Sequence, residues 1–147
     1  MKKREMVVDG VTINDDSSTF VIAEIGQNHE GDVDKCKALF DSAKQCGATA
    51  VKLQKRNNEK LYTQAMFDQA YNSENAYADT YGAHRNRLEF DRAQYEELHA
   101  YAKEIGIIMF STAWDFDSAD LLNDIGMPCF KVASGDLRTI QIGRAHV

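Results

Sequence analysis

The chain has 147 residues, 44% of them hydrophobic and one a proline, enough for a single domain with a real core and little more. Its net charge of −6 comes from interspersed acidic and basic residues, and the one basic cluster is Lys2-Lys3-Arg4, which argues against nucleic acid or a membrane surface as the main partner. Asp9, Gly10 and Asn14 to Ser18 interrupt any secretory leader, and no stretch approaches the ~20 apolar residues of a membrane span. Cys36, Cys46 and Cys129 are odd in number and lack metal-type spacing, so they read as buried thiols in a reducing cytoplasm.

Met6 to Ile13 reads as a hairpin about an Asp9-Gly10 turn. After a polar link, Phe20 to Ile25 is an apolar strand broken by Glu24. Asp32 caps a helix with the stripe Val33, Cys36, Leu39, Phe40, Ala43 and Cys46, which Gly47 ends in the left-handed conformation. A strand over Ala50 to Gln54 follows. Residues 55–90 are polar and aromatic without a clear period, which marks a long functional loop with helical turns. Asp91 caps a second helix, with Gln94 completing a capping box and Gly106 closing it. Then come a strand over Ile107 to Thr112, a short helix over about Asp117 to Ile125, and a strand over Cys129 to Ala133.

Continuous apolar strands alternating with amphipathic helices predict a parallel sheet covered by helices, either a barrel or a doubly wound sheet. No Gly-x-Gly-x-x-Gly follows the first strand, which weakens the dinucleotide-binding alternative. Glu24, Lys52 with Gln54, Ser111 with Thr112, and Ser134 with Asp136 all fall at the C-terminal ends of successive strands, the active-site face of a (β/α)₈ barrel. The fold class is therefore α/β, a TIM-type barrel sheet preceded by a small N-terminal β-hairpin.

Two lysines stand inside apolar strands, Lys52 in Ala50-Val51-Lys52-Leu53-Gln54 and Lys131 in Phe130-Lys131-Val132-Ala133. Burying an unpartnered polar group costs roughly 2–7 kcal/mol and an ammonium more, so two such strands are expected to aim their charge at one anion. Side chains alternate along a strand, so Lys52 and Gln54 share the inward face while Val51 and Leu53 meet the helices. Lys131 shares its face with Ala133, leaving room for a small anion. The hydroxyls of Thr112 and Ser134 and amides near Gly135 offer to complete the cradle. The competing reading makes each lysine a structural bridge to Glu24 or Asp136. Glu24 itself reads as a balancing carboxylate or an acid-base group. His29 reads as a loop-shaping hydrogen-bonder, His84 as a substrate contact or loop packing, His99 as solvated surface, and Trp114 as packing or a pocket wall.

The motifs together resemble the sialic acid synthase family. They are Ile22-Ala23-Glu24-Ile25-Gly26 with Asn28-His29-Glu30-Gly31, Val51-Lys52-Leu53-Gln54, Thr80-Tyr81-Gly82-Ala83-His84-Arg85, Leu88-Glu89-Phe90, Phe110-Ser111-Thr112 and Lys131-Val132-Ala133-Ser134-Gly135-Asp136. The resemblance implies condensation of phosphoenolpyruvate with N-acetylmannosamine or its 6-phosphate. Carbon 3 of phosphoenolpyruvate attacks the sugar aldehyde, water adds at carbon 2, and phosphate leaves to give a nine-carbon 2-keto acid. It further implies that Lys52, Thr112, Lys131 and Ser134 hold phosphoenolpyruvate. Gln54, Asn75 and Asp136 would contact the amino sugar, Asp136 where many relatives carry glutamate, and Glu24 would be the acid near the reacting centre. A divalent metal, Mn²⁺ or Mg²⁺, polarises the aldehyde in that family. Its histidine ligands are expected on later strands, beyond this chain, as is an antifreeze-like domain that reaches across a domain-swapped homodimer.

On this reading residues 1–18 are the hairpin and link, and residues 19–141 are the first half of the barrel. Ile142-Gly143-Arg144-Ala145-His146-Val147 spells what a common short-read sequencing adapter encodes in frame, so residues 142–147 are expected to be an adapter-derived tail. The chain alone is then expected to be inactive, and to associate through exposed sheet edges. The alternatives are a synthase of a related bacterial nonulosonic acid such as legionaminic acid, and a non-catalytic phosphate- or sugar-binding barrel.

Overall fold

A computed structural model of the chain describes residues 4–136 and 138. The proposed tail, residues 142–147, and Gln141 lie outside the described residues. The hairpin is formed by β1 (Glu5–Val8) and β2 (Val11–Asn14), antiparallel with Met6 opposite Ile13. Its turn residues Asp9 (φ 47°) and Gly10 (φ 78°) are both left-handed, the backbone that matches the twist of the paired strands.

The main sheet has four parallel strands in chain order: β3 (Ile22–Gly26), β4 (Ala50–Lys55), β5 (Ile108–Ala113) and β6 (Phe130–Val132). Helix α1 (Val33–Gln45) joins the first two strands, with the Asp32 carboxylate accepting from the Lys35 amide. The segment after β4 holds three short helices, α2 (Asn58–Leu61), α3 (Gln64–Phe67) and α4 (Tyr81–Arg87). Thr63 and Thr80 cap the second and third of these. Helix α5 (Arg92–Ile105) carries the full Asp91–Gln94 capping box and ends at left-handed Gly106. Helix α6 (Phe116–Asp124) is capped by Asp115 and leads into β6, and a 3₁₀ turn spans Ser134–Asp136.

The two faces of the sheet have different fates. Ile25, Val51, Leu53, Met109 and Ala113 pack against Cys36, Phe40, Tyr95, Leu98 and Leu122 of the helices. Each large apolar side chain removed from water there contributes about 1.5–3 kcal/mol. On the opposite face the lower level is also apolar, with Ala50, Ile108 and Phe110 covered by Val8 and Ile13 of the hairpin. The upper level is polar.

Two expectations are corrected by this packing. His99, read as solvated surface, is buried at 7% exposure, against the Ile125 backbone at the end of α6, and burial lowers its pKa. Cys46, read as a buried thiol on the apolar stripe, is exposed at the end of α1, whereas Cys36 is fully buried and burial pushes its thiol up to about 12. Among the described residues no helix is long and apolar enough to cross a membrane.

Candidate functional site

The polar level of the open face is built by strand register. Glu24 sits beside Lys52, which sits beside Phe110; one step further up, Gln54 sits beside Thr112, which sits beside Lys131. Lys52 is 6% exposed. Its ammonium donates to Thr112 Oγ1 (3.1 Å) and forms a close ion pair with Glu24. The Glu24 side chain is half exposed, so the pair has one end in the sheet and one in the open. This is the partner that the structural reading of Lys52 named. Among the described residues one carboxylate and one hydroxyl take two of the three ammonium protons, which leaves a donor for an anion.

Lys131 takes the inward register beside Thr112, but it is exposed, not buried. Among the described residues β6 has a neighbour on one side only and none of them covers the lysine, whose ammonium reaches the Val132 carbonyl at 3.4 Å. Ser134 is exposed in the 3₁₀ turn. Of the amides near Gly135, that of Asp136 is already committed to the Ala133 carbonyl at 2.9 Å. Asp136 Oδ2 is buried with no hydrogen-bond partner among the described residues. Asn75 is exposed, and its backbone amide donates to Ser73 Oγ at 3.3 Å; among the described residues no hydrogen bond or ion pair joins it to the other candidates.

Behind this row lies a charged cluster that sequence reasoning did not single out. Glu89 accepts from Lys55 Nζ (3.3 Å), the Arg56 backbone amide (3.1 Å) and Gln27 Nε2 (3.2 Å). Burial raises the Glu89 pKa, opposed by the charge of Lys55 and the hydrogen bond from Arg56. Arg85 donates to Gln27 Oε1 (2.7 Å) and to the Tyr81 hydroxyl (3.1 Å), which ties the turn after β3 to α4. The guanidinium of Arg56 lies over the Trp114 ring at 4.6 Å and donates to Gln54 Oε1. The available signal was an acid flanked by apolar residues in Leu88-Glu89-Phe90, facing Lys55-Arg56 directly after an inward-pointing glutamine. A cavity of about 460 Å³ opens beside this cluster between Arg56, Asn58, Asn86, Glu89, Asp117 and Leu121, and none of the sequence candidates lines it.

His29 shapes the loop after β3. It is 2% exposed and stacks on Phe90 with ring centroids 4.1 Å apart, and its Nδ1 accepts from the Gly31 amide at 3.1 Å. Burial lowers its pKa to about 4, so it is neutral at neutral pH. His84 packs among Tyr71 and Tyr77 and accepts from the Tyr77 amide, the packing side of the two readings given above. Among the described residues no group of three or more His, Cys, Asp or Glu side chains is placed to hold a metal ion.

Residues 39–145 match the NeuB family. N-acetylneuraminate-9-phosphate synthase of Mus musculus is 43% identical over 117 residues, covering 80% of this chain and 33% of the mouse protein. N,N'-diacetyllegionaminic acid synthase of Campylobacter jejuni is 32% identical over 123 residues, covering 83% of this chain and 37% of that protein. The solved N-acetylneuraminic acid synthetase of Leptospira borgpetersenii superposes with a TM-score of 0.79 at 26% identity, over 97% of this chain and 46% of that one. The chain spans about a third of the length of the curated relatives it matches, 33% in the mouse case. Its α/β fold with a parallel sheet is similar to that of the Leptospira structure.

Proposed function

Because the chain belongs to the NeuB family, we propose that the protein carrying it condenses phosphoenolpyruvate with an N-acetylated amino sugar, its four parallel strands being the first half of a (β/α)₈ barrel. The observation that carries this reading is the buried Lys52 ammonium. It is held at the C-terminal end of β4 by Thr112 and Glu24, and is flanked in the next row by Gln54 and Lys131. A buried ammonium favours a multiply charged anion over water, because its interaction with a phosphate or carboxylate is weakly screened there.

In this proposal Lys52 and Thr112 bind phosphoenolpyruvate, with Lys131 and Ser134 reaching it from β6 and the turn that follows. Glu24 lies beside the reacting centre, where it offsets the lysine charge and is placed to accept or return a proton. Gln54 and Asp136 face the sugar; Asp136 Oδ2, which has no hydrogen-bond partner among the described residues, is an acceptor suited to a sugar hydroxyl. Asn75 is assigned to the same sugar-facing group, from the loop between α3 and α4. The divalent metal that the family resemblance implies would polarise the sugar aldehyde; the described residues supply no ligand set for it. A domain-swapped dimer completing the site is part of the same reading.

The identity pattern supports N-acetylmannosamine 6-phosphate as the acceptor over the legionaminic acid precursor, with 43% identity to the mouse 9-phosphate synthase against 32% to the Campylobacter enzyme. The test is a calorimetric titration of the full-length protein with phosphoenolpyruvate before and after Lys52→Ala. Loss of one partner of a buried charge contact is expected to weaken binding by roughly 2–5 kcal/mol. Unchanged affinity makes Lys52 a structural partner of Glu24 and removes the proposal.

A further inference from the structure

We infer that Arg56 is a positioning residue that sets the hydrogen-bonding sense of Gln54, so that the site presents an N–H donor, not a carbonyl, to the amino sugar. The inference rests on the proposal that Gln54 faces that sugar. Arg56 is 7% exposed and is immobilised from several directions. Its backbone amide is bound by Glu89 (3.1 Å), its Nη1 lies 3.6 Å from Glu89 Oε1, and its guanidinium lies on Trp114 at 4.6 Å. From that position Nη2 donates to Gln54 Oε1.

A guanidinium has donors and no acceptor, and a glutamine amide has one acceptor and two donors at its tip. Turning the Gln54 amide over would set its NH₂ group against the Arg56 N–H groups, donor against donor. The carboxamide oxygen is therefore held toward Arg56 and Nε2 is turned to the other side. There it adjoins Gly26, where a side-chain carbon on the glycine would lie 3.6 Å from Gln54 Nε2 and 3.4 Å from Glu24 Oε1. The Gln54 backbone is pinned as well, since the buried Tyr95 hydroxyl donates to its carbonyl at 3.0 Å. The row thus offers a fixed donor next to a carboxylate. That pairing suits a ligand presenting a carbonyl or hydroxyl oxygen beside a hydroxyl, as an acylated amino sugar does.

The experiment is steady-state kinetics of the full-length synthase with each substrate varied in turn. Arg56→Met is expected to raise the KM for the amino sugar about ten- to a hundredfold, with the KM for phosphoenolpyruvate unmoved. Arg56→Lys, which keeps a donor toward Oε1, should recover part of the loss. In a Gln54→Ala background, Arg56→Met should add nothing further, because its effect passes through the amide. Equal rises in both KM values, or full additivity of the two substitutions, would overturn the inference. If Arg56→Met does not fold, Gln54→Glu decides: it keeps the acceptor for Arg56 and removes the donors, so it must lose sugar affinity as Gln54→Ala does. Sugar binding unchanged by Gln54→Glu overturns the donor assignment. Sugar binding unchanged by Gln54→Ala shows instead that the underlying placement of Gln54 against the sugar is wrong, and the inference falls with it.

Discussion

His29 is sealed between Phe90 and the turn after β3, and burial pushes its pKa from 6.5 to about 4. The unfolded chain therefore binds a proton at this residue between about pH 6.5 and pH 4 while the folded chain does not. Folded-state stability is complete above that window and falls as the pH drops through it, by about 3 kcal/mol at the lower end. His84 and His99 are lowered in the same direction by burial, so each also adds stability that is lost on acidification below the ordinary histidine value. His29→Asn keeps an acceptor for the Gly31 amide and cannot titrate. It is expected to flatten part of the decline in urea-unfolding midpoint between pH 7 and pH 4.5. A variant with the same pH slope as the parent would show that His29 is not the residue responsible.

Between elements, Gly31 is where the turn after β3 touches the end of α4. Its φ is +78°, and a side-chain carbon there would stand 2.2 Å from the Arg87 carbonyl oxygen. Gly47 at the end of α1 has a similar φ of +84° with open space around it. Alanine at either position bears the left-handed penalty, about 1 kcal/mol. Gly31→Ala must also push α4 away, and with it Glu89, on which Lys55, Arg56 and Gln27 converge. Equilibrium unfolding should show Gly31→Ala destabilising by roughly 2 kcal/mol or more beyond Gly47→Ala. Equal costs would mean that the contact yields freely. At the start of α5, both halves of the Asp91–Gln94 capping box measure 2.9 Å, so Asp91→Ala should cost about 1–2 kcal/mol in the same assay.

For the molecule as a whole, the readable parts were those whose structure is set locally. Asp32, Asp91 and Gly106 mark helix ends by their own chemistry, and Asp9-Gly10 marks its turn. Strand alternation correctly turned Lys52 inward. It could not report that Lys131 is uncovered, because exposure depends on the neighbour of β6 and not on β6 itself. Residues 55–90 resisted reading because distant bonds hold them, such as Asn58 to Asn86 and Gln27 to Glu89, and these leave no period in the sequence. His99 was misjudged for the same reason, since its cover comes from other elements. The sheet topology carries a further consequence. Among the described residues β3 and β6 each pair on one side only, and Val21 just before β3 and Ile22 at its start are 47% and 46% exposed. An unpaired parallel edge with apolar side chains is a template for another chain. The 147-residue chain expressed alone should therefore self-associate, with a mass by light scattering that rises with concentration. Ile22→Lys, which places a charge on that edge, should lower the apparent mass without changing the helical circular dichroism. A strictly monomeric chain at all concentrations would show that the edges are protected by residues outside the sheet.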